Sequence, residues 1–225
     1  MGGEKMTRQE ALAQIKKFWT GQVREIPVFG KDIPACRYSE YAFILMNLPP
    51  FRVSILDAGV GASLLPAFLS SLGNTVVATD LWDANNKSIE GTCAEAFRIR
   101  QAWGFPYEIC PTNLATLPFS DKHFDVVVCN STIEHIPEDD DQDIKVVKEL
   151  LRVSRELVFF TFPATEVPRE YGNPDNLTKH PAERSYSFNT AIQRLVVPAI
   201  ESGFIPVSAS GMVDDGKLLL KRISA

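Results

Sequence analysis

The densest chemistry in the chain lies in ILDAGVGASLL (55–65), where Asp57 precedes Gly59 and Gly61, and in Asp80, which closes TVVATD. A strand-end acid followed by two glycines brings backbone close to a ligand, because glycine accepts positive φ and carries no Cβ. A helix starting at Leu64 would aim its unpaired N–H groups and positive dipole end at the same point. A phosphate loop would need Lys followed by Ser or Thr there, and neither is present. The dinucleotide fingerprint would put a third glycine at position 64, which is Leu64. Asp80 stands where an acid accepts hydrogen bonds from ribose hydroxyls, a role that serves NAD and S-adenosylmethionine equally. By themselves the two glycines also fit a plain tight turn between strand and helix.

Three histidines complete the titratable candidates. His123 lies in a polar turn and is expected to be exposed. His135 follows an apolar run, and His180 lies in PDNLTKHPAERSYSF, among loops beyond a later run. Either could serve as a general base, and His135 also suits helix packing. The four cysteines (Cys36, Cys93, Cys110, Cys129) form no CxxC pair and no zinc spacing, which fits a reducing, cytoplasmic setting. A net charge of −5 without a Lys/Arg cluster argues against nucleic acid or an anionic membrane as main partner. The N-terminus lacks an apolar signal core, Met6 breaks the myristoylation pattern after Gly2, and no run reaches the ~18 apolar residues of a membrane span.

These groups need a frame. VSILD (53–57), TVVATD (75–80), YEIC (107–110), FDVVVCN (124–130) and LVFFTF (157–162) are short and apolar, as strands covered on both faces are. Helix-like stretches separate them: Leu64–Leu72, with Pro66 in its first turn and Gly73 past its end; Ser88–Trp103, ending at Gly104; and Asp139–Arg155, acidic at its start and basic at its end. After SFNTAIQRLVVPAIESG (187–203) come FIPVSAS (204–210), a turn containing Asp214, Asp215 and Gly216, and KLLLKRI (217–223). Strands joined so briefly are antiparallel neighbours. The pattern predicts an α/β, Rossmann-like doubly wound fold, with a mostly parallel seven-stranded sheet ending in a C-terminal antiparallel hairpin. One domain (1–225) is expected, with 1–50 a helical preface or cap (Arg8–Trp19 and Ser39–Leu48) and 52–225 the catalytic core.

NLATLPFSDKHFDVVVCNSTIEHIP (113–137) carries Leu117-Pro118-Phe119, then Phe124-Asp125, then Glu134-His135. Together with Asp57-Ala58-Gly59-Val60-Gly61, in the same order and spacing, residues 53–162 resemble the class I S-adenosylmethionine-dependent methyltransferases, in the broad type 11 group acting on small molecules. The resemblance implies that Asp57 and the backbone of Gly59 and Gly61 hold the methionine part of S-adenosyl-L-methionine, and that Asp80 takes the ribose. Leu81 and Trp82 would flank adenine. Asn113 stands where the family has an acid beside the adenine amino group, and its amide oxygen can still accept that bond. Leu114 would touch the ring, Asn130 and Ser131 would line the methionine side, and Arg37 or Tyr41 would close over the carboxylate. RYSEYAFILMNLPPFRVSILDAGVGAS (37–63) with STIEHI (131–136) is similar to a subgroup associated with cell-surface glycan or natural-product modification, in which Ser63 replaces the third glycine. Some relatives hold a cation with Glu-x-x-Glu-His and a later His. Ser131 takes the first Glu position here, so no metal is expected, and the acidic run 138–143 reads as a solvated helix start.

The implied activity is methyl transfer to a small polar acceptor, expected at oxygen, on a sugar or glycan intermediate or a natural product. A homodimer is open. Two other classes remain: a non-catalytic S-adenosylmethionine-binding module, for which Ser63 and Asn113 leave room, and an NAD-dependent oxidoreductase, against which Leu64, the 113–137 block and the terminal hairpin argue. Specificity is expected from 1–50 and 163–190, the latter polar and suited to a lid, with Tyr171, Arg184 and Tyr186 as pocket candidates.

Overall fold

Alternate side chains of a strand point to opposite faces, so an apolar strand covered on both sides feeds two cores. The computed structural model describes residues 6–22, 35–50, 52–61, 63–81, 100–101, 104, 106–137, 139–166, 185–210 and 214–223. Seven strands form one sheet: β1 (Ser54–Ala58), β2 (Thr75–Asp80), β3 (Glu108–Pro111), β4 (Phe124–Asn130), β5 (Ser154–Ala164), β6 (Phe204–Ser210) and β7 (Asp214–Arg222). Their order is β3-β2-β1-β4-β5-β7-β6. The first five are parallel, and β7 runs antiparallel between β5 and β6. The expected doubly wound sheet with its terminal hairpin is therefore present.

Helices feed a core on each face of the sheet. α1 (Arg8–Gln22), α2 (Ala35–Asn47) and α3 (Leu65–Ser71) share one core with Ile55, Val76, Ala78, Val126, Val128, Phe159 and Leu219. α4 (Gln142–Val153) and α5, built of Phe188–Ala191, a π-helical Ile192–Val196 and Val197–Glu201, share the other with Leu56, Val127, Cys129, Val158, Phe160, Leu218 and Leu220. In α3 nearly every side chain is buried, because it lies between the sheet and α1, whose Phe18 ring sits 5.0 Å from that of Phe68. In α4 the buried Val146, Val147, Leu150 and Leu151 make one stripe at helical spacing. Among the described residues no helix is long and apolar enough to cross a membrane.

Several boundaries differ from expectation. α4 begins at Gln142 rather than Asp139, because Asp140 and Asp141 adopt left-handed φ values of 52° and 55°. It ends at Val153, and Arg155 belongs to β5. Asp214, Asp215 and Gly216 belong to β7 rather than to a turn. Of the Ser88–Trp103 helix only Arg100 and Gln101 are described, and both are helical.

Candidate cofactor site at the carboxyl ends of the strands

Strand parity assembles the site. Two residues beyond Ile55, Ala78, Val128 and Phe159, on the same α1–α3 face, come Asp57, Asp80, Asn130 and Thr161. Asn130 pairs with Thr161, and Asp57 pairs with Val128. A polar row thus crowns the apolar core where parallel α/β sheets bind ligands.

The turn after β1 closes tightly on itself. Gly59 and Gly61 have φ of 75° and 52°. The Gly59 N–H donates to the Thr79 carbonyl (2.8 Å), and the Gly61 N–H to Asp80 Oδ2 (2.7 Å). Leu81 N–H donates to Asp80 Oδ1 at 2.7 Å, so two backbone bonds fix the Asp80 carboxylate. The glycine N–H groups expected to face a cofactor carboxylate are thus engaged within the chain. A Cβ on Gly59 would lie 1.9 Å from Thr132 Cγ2, so this glycine admits Thr132, whose hydroxyl donates to the Gly59 carbonyl at 2.9 Å. Ser63 has a structural use: its Oγ accepts the Leu65 N–H (3.1 Å) and lies 2.9 Å from Tyr41 Oη, tying the start of α3 to α2. Burial pushes the Tyr41 phenol up to about 12, which keeps it a neutral hydroxyl.

Asp57 is 2% exposed, and its Oδ2 has no hydrogen-bond partner among the described residues. Desolvation, then the charge of Asp80, push its carboxyl up to about 7, against the pull of Arg37.

Glu40, which the sequence reading passed over, links α2 to the end of β4. It is 4% exposed and accepts from Arg37 Nη1 (2.8 Å), Asn130 Nδ2 (3.2 Å) and Ser131 Oγ (2.7 Å). Ser131 has φ 46°, and its N–H donates to both the carbonyl and the Oγ1 of Thr161. The available signal was helical spacing: Arg37, Glu40, Tyr41 and Ile44 fall on one face, and Ile44 is in the core.

The remaining candidates differ in burial. Asn113 is exposed and its Oδ1 accepts the Ala115 N–H at 2.9 Å, while Leu114 is buried in the α4–α5 core. Leu81 is exposed. His135 ends a single turn, Ile133–His135, with its side chain exposed, whereas Glu134 before it is buried. Tyr186 is fully buried with its ring 5.0 Å from Phe162, so it packs the α4–α5 core rather than lining a pocket. Trp82, Tyr171, His180 and Arg184 lie outside the described residues.

Residues 56–161 match the family model of a methyltransferase domain. The fold is shared with the PH0226 protein of Pyrococcus horikoshii OT3, at 16% identity over 83% of this chain and 90% of that one, with a TM-score of 0.62. It is shared with 1,6-didemethyltoxoflavin-N1-methyltransferase of Burkholderia thailandensis, solved with 1,6-didemethyltoxoflavin and S-adenosylhomocysteine (14% identity, 100% and 94% covered, TM-score 0.61). Magnesium protoporphyrin IX methyltransferase of Synechocystis PCC 6803, solved with S-adenosylhomocysteine, matches at 16% identity over 92% of this chain and 97% of that one, with a TM-score of 0.59. No protein of curated function matches the sequence.

Proposed function

We propose that this chain, whose core is a class I S-adenosylmethionine-dependent methyltransferase domain, transfers a methyl group to a hydroxyl of a small polar acceptor. The buried Asp57, whose Oδ2 has no hydrogen-bond partner among the described residues, carries the reading. A phosphate-bearing dinucleotide would bring negative charge to a turn already holding Asp57 and Asp80. An S-adenosyl amino acid brings an ammonium, which can donate to Asp57 Oδ2, and ribose hydroxyls, whose bonds the anchored Asp80 can accept.

S-adenosylmethionine, when bound, supplies a methyl group on an electrophilic sulfonium. The chain's own contribution is alignment and exclusion of water. Asp57 would hold the ammonium, and Asn130 and Ser131 at the end of β4 would orient the acceptor beside it. Those groups offer an amide, a hydroxyl and, behind them, the Glu40 carboxylate. That lining suits a hydroxylated acceptor such as a sugar or glycan intermediate or a polar natural product, in keeping with the subgroup that residues 37–63 resemble. His135 stands exposed and enters this reading only if the acceptor covers it.

Titration with S-adenosylhomocysteine, followed by incubation of the protein with radiolabelled S-adenosylmethionine and a panel of sugars and hydroxylated natural products, tests the reading. Label transferred to oxygen supports it. Transfer to nitrogen alone, or binding without transfer across the panel, moves the assignment to another acceptor class or to the non-catalytic module.

A further inference from the structure

We propose that Lys217 is an acceptor-recognition residue, and that the methyl acceptor carries an anionic group, a carboxylate or a phosphate ester, remote from the hydroxyl that is methylated. The inference rests on the S-adenosylmethionine reading above and narrows its acceptor class.

Register puts Lys217 in the polar row at the carboxyl ends of the parallel strands. It lies opposite Thr161 of β5 and opposite Ser210 of β6. Leu219, two residues further along β7, belongs to the α1–α3 core, so Lys217 leaves the sheet on that same face. Across the sheet the row then runs Asp80, Asp57, Asn130, Thr161, Lys217, in the strand order β2-β1-β4-β5-β7. Acids stand at one end, an amide and a hydroxyl in the middle, and a cation at the other. Neighbouring strands are about 4.8 Å apart, which sets β7 about 10 Å from β4 and about 14 Å from β1. Lys217 is thus on the far side of the β4 end from the two acids assigned to the cofactor.

Burial sets this lysine apart. It is 8% exposed, whereas Lys221, on the same face beyond Leu219, is exposed as surface lysines are. The sheet does not require a charge there, since Leu218, Leu219 and Leu220, which follow it, are buried apolar side chains feeding both cores. Nor does α2, which packs on β7, bring an acid in need of it. Glu40 already accepts from Arg37 at 2.8 Å and from Asn130 and Ser131. Lys217 has an interaction within the chain, but an ammonium carries three donors, so a ligand oxygen can share it. An acceptor whose hydroxyl meets Asn130 and Ser131 would extend along the row toward β7. There a carboxylate or phosphate finds a partly desolvated cation, where a charge-assisted bond is strong, and a cationic acceptor is repelled.

Matched acceptors separate charge recognition from general structure. The protein saturated with S-adenosylhomocysteine is titrated calorimetrically with glucuronate and glucose 6-phosphate, each against glucose, and with 4-hydroxybenzoate against its amide. The same compounds are then offered with radiolabelled S-adenosylmethionine. The acid of at least one pair is expected to bind about tenfold or more tightly than its neutral partner, the worth of a charge-assisted bond. Which acid wins distinguishes carboxylate from phosphate. Lys217→Met should abolish that preference, leave S-adenosylhomocysteine affinity within about twofold, and melt within about 3 °C of the parent. Lys217→Arg, which keeps the charge, should retain part of the preference. Neutral members bound as well as the acids, or Lys217→Met weakening both members equally, overturns the proposal. So does an equal loss of S-adenosylhomocysteine affinity in Lys217→Met, which would give the cation to the cofactor. A parent protein that takes up S-adenosylhomocysteine and neither binds nor methylates any of the acids overturns it too, with the cofactor reading intact. If the parent does not bind S-adenosylhomocysteine, the cofactor reading falls and this inference falls with it.

Discussion

At the scale of the residue, Asp57 converts burial into a pH dependence. Its carboxyl is displaced upward to about 7 by desolvation and by Asp80, whereas an unfolded aspartate titrates near 3.9. Between those values the unliganded folded chain holds a proton that the unfolded chain releases. This group's contribution to stability is therefore fully present below about pH 4 and lost as pH rises through about 7, by a few kcal/mol at most. An ammonium placed against Asp57 reverses the preference, because it favours the ionised form. S-adenosylhomocysteine should accordingly bind more tightly as pH rises from about 5.5 to 7.5, with proton release largest on the acid side. Titration in buffers of different ionisation enthalpy counts that proton. Asp57→Asn should flatten the profile and weaken binding, and a pH-independent affinity in the parent would remove Asp57 from the ammonium site.

Among the elements, a buried ion pair joins the two helices of the far face. Asp143, in the first turn of α4, is fully buried, and Arg194 of α5 donates Nε to its Oδ2 at 2.6 Å. Arg194→Leu leaves that carboxylate without its guanidinium, which typically costs 3–5 kcal/mol, or roughly 6–20 °C of melting temperature in a chain of this size. The double variant Asp143→Leu with Arg194→Leu should recover most of the loss, and scanning calorimetry of the three variants measures the coupling. A double variant whose loss equals the sum of the two single losses would show that the pair is not coupled. The sequence reading located both helices from apolar spacing and terminal punctuation but not this bridge, since Asp143 looked like part of a solvated acidic start. Left-handed Asp140 and Asp141 turn the chain before α4 begins, and no propensity of aspartate in a charged run announces that. The widened turn in α5 was likewise hidden. Pro198 has no N–H for the Arg194 carbonyl, and the Val197 N–H reaches back to Ile192 instead.

For the whole molecule, what could be read and what could not divide by sequence distance. Asp57, Gly59, Gly61 and Asp80 fall within one strand–helix–strand unit, so local punctuation was enough to place them. Glu40 meets Asn130 and Ser131 across 90 and 91 residues. Strand parity gives the face on which those groups emerge, but not which helix covers that face. On the α1–α3 face, α2 meets the end of β4 through Glu40, Asn130 and Ser131. Ile15 of α1 is 1% exposed in that core, beside α2 and α3, whereas α4 and α5 pack a different core. Ile15→Asp would bury a charge at a cost of several kcal/mol and should instead undock α1. Hydrogen exchange should then quicken across α1 and α2 while α4, β5 and β7 keep their protection. S-adenosylhomocysteine should bind at least about tenfold more weakly, because Arg37, Glu40 and Tyr41 lose their backing. Uniform loss of protection across the sheet would mean that the two faces unfold as one unit. Lost α1 protection with unchanged affinity would place the cofactor site on the sheet and its loops alone.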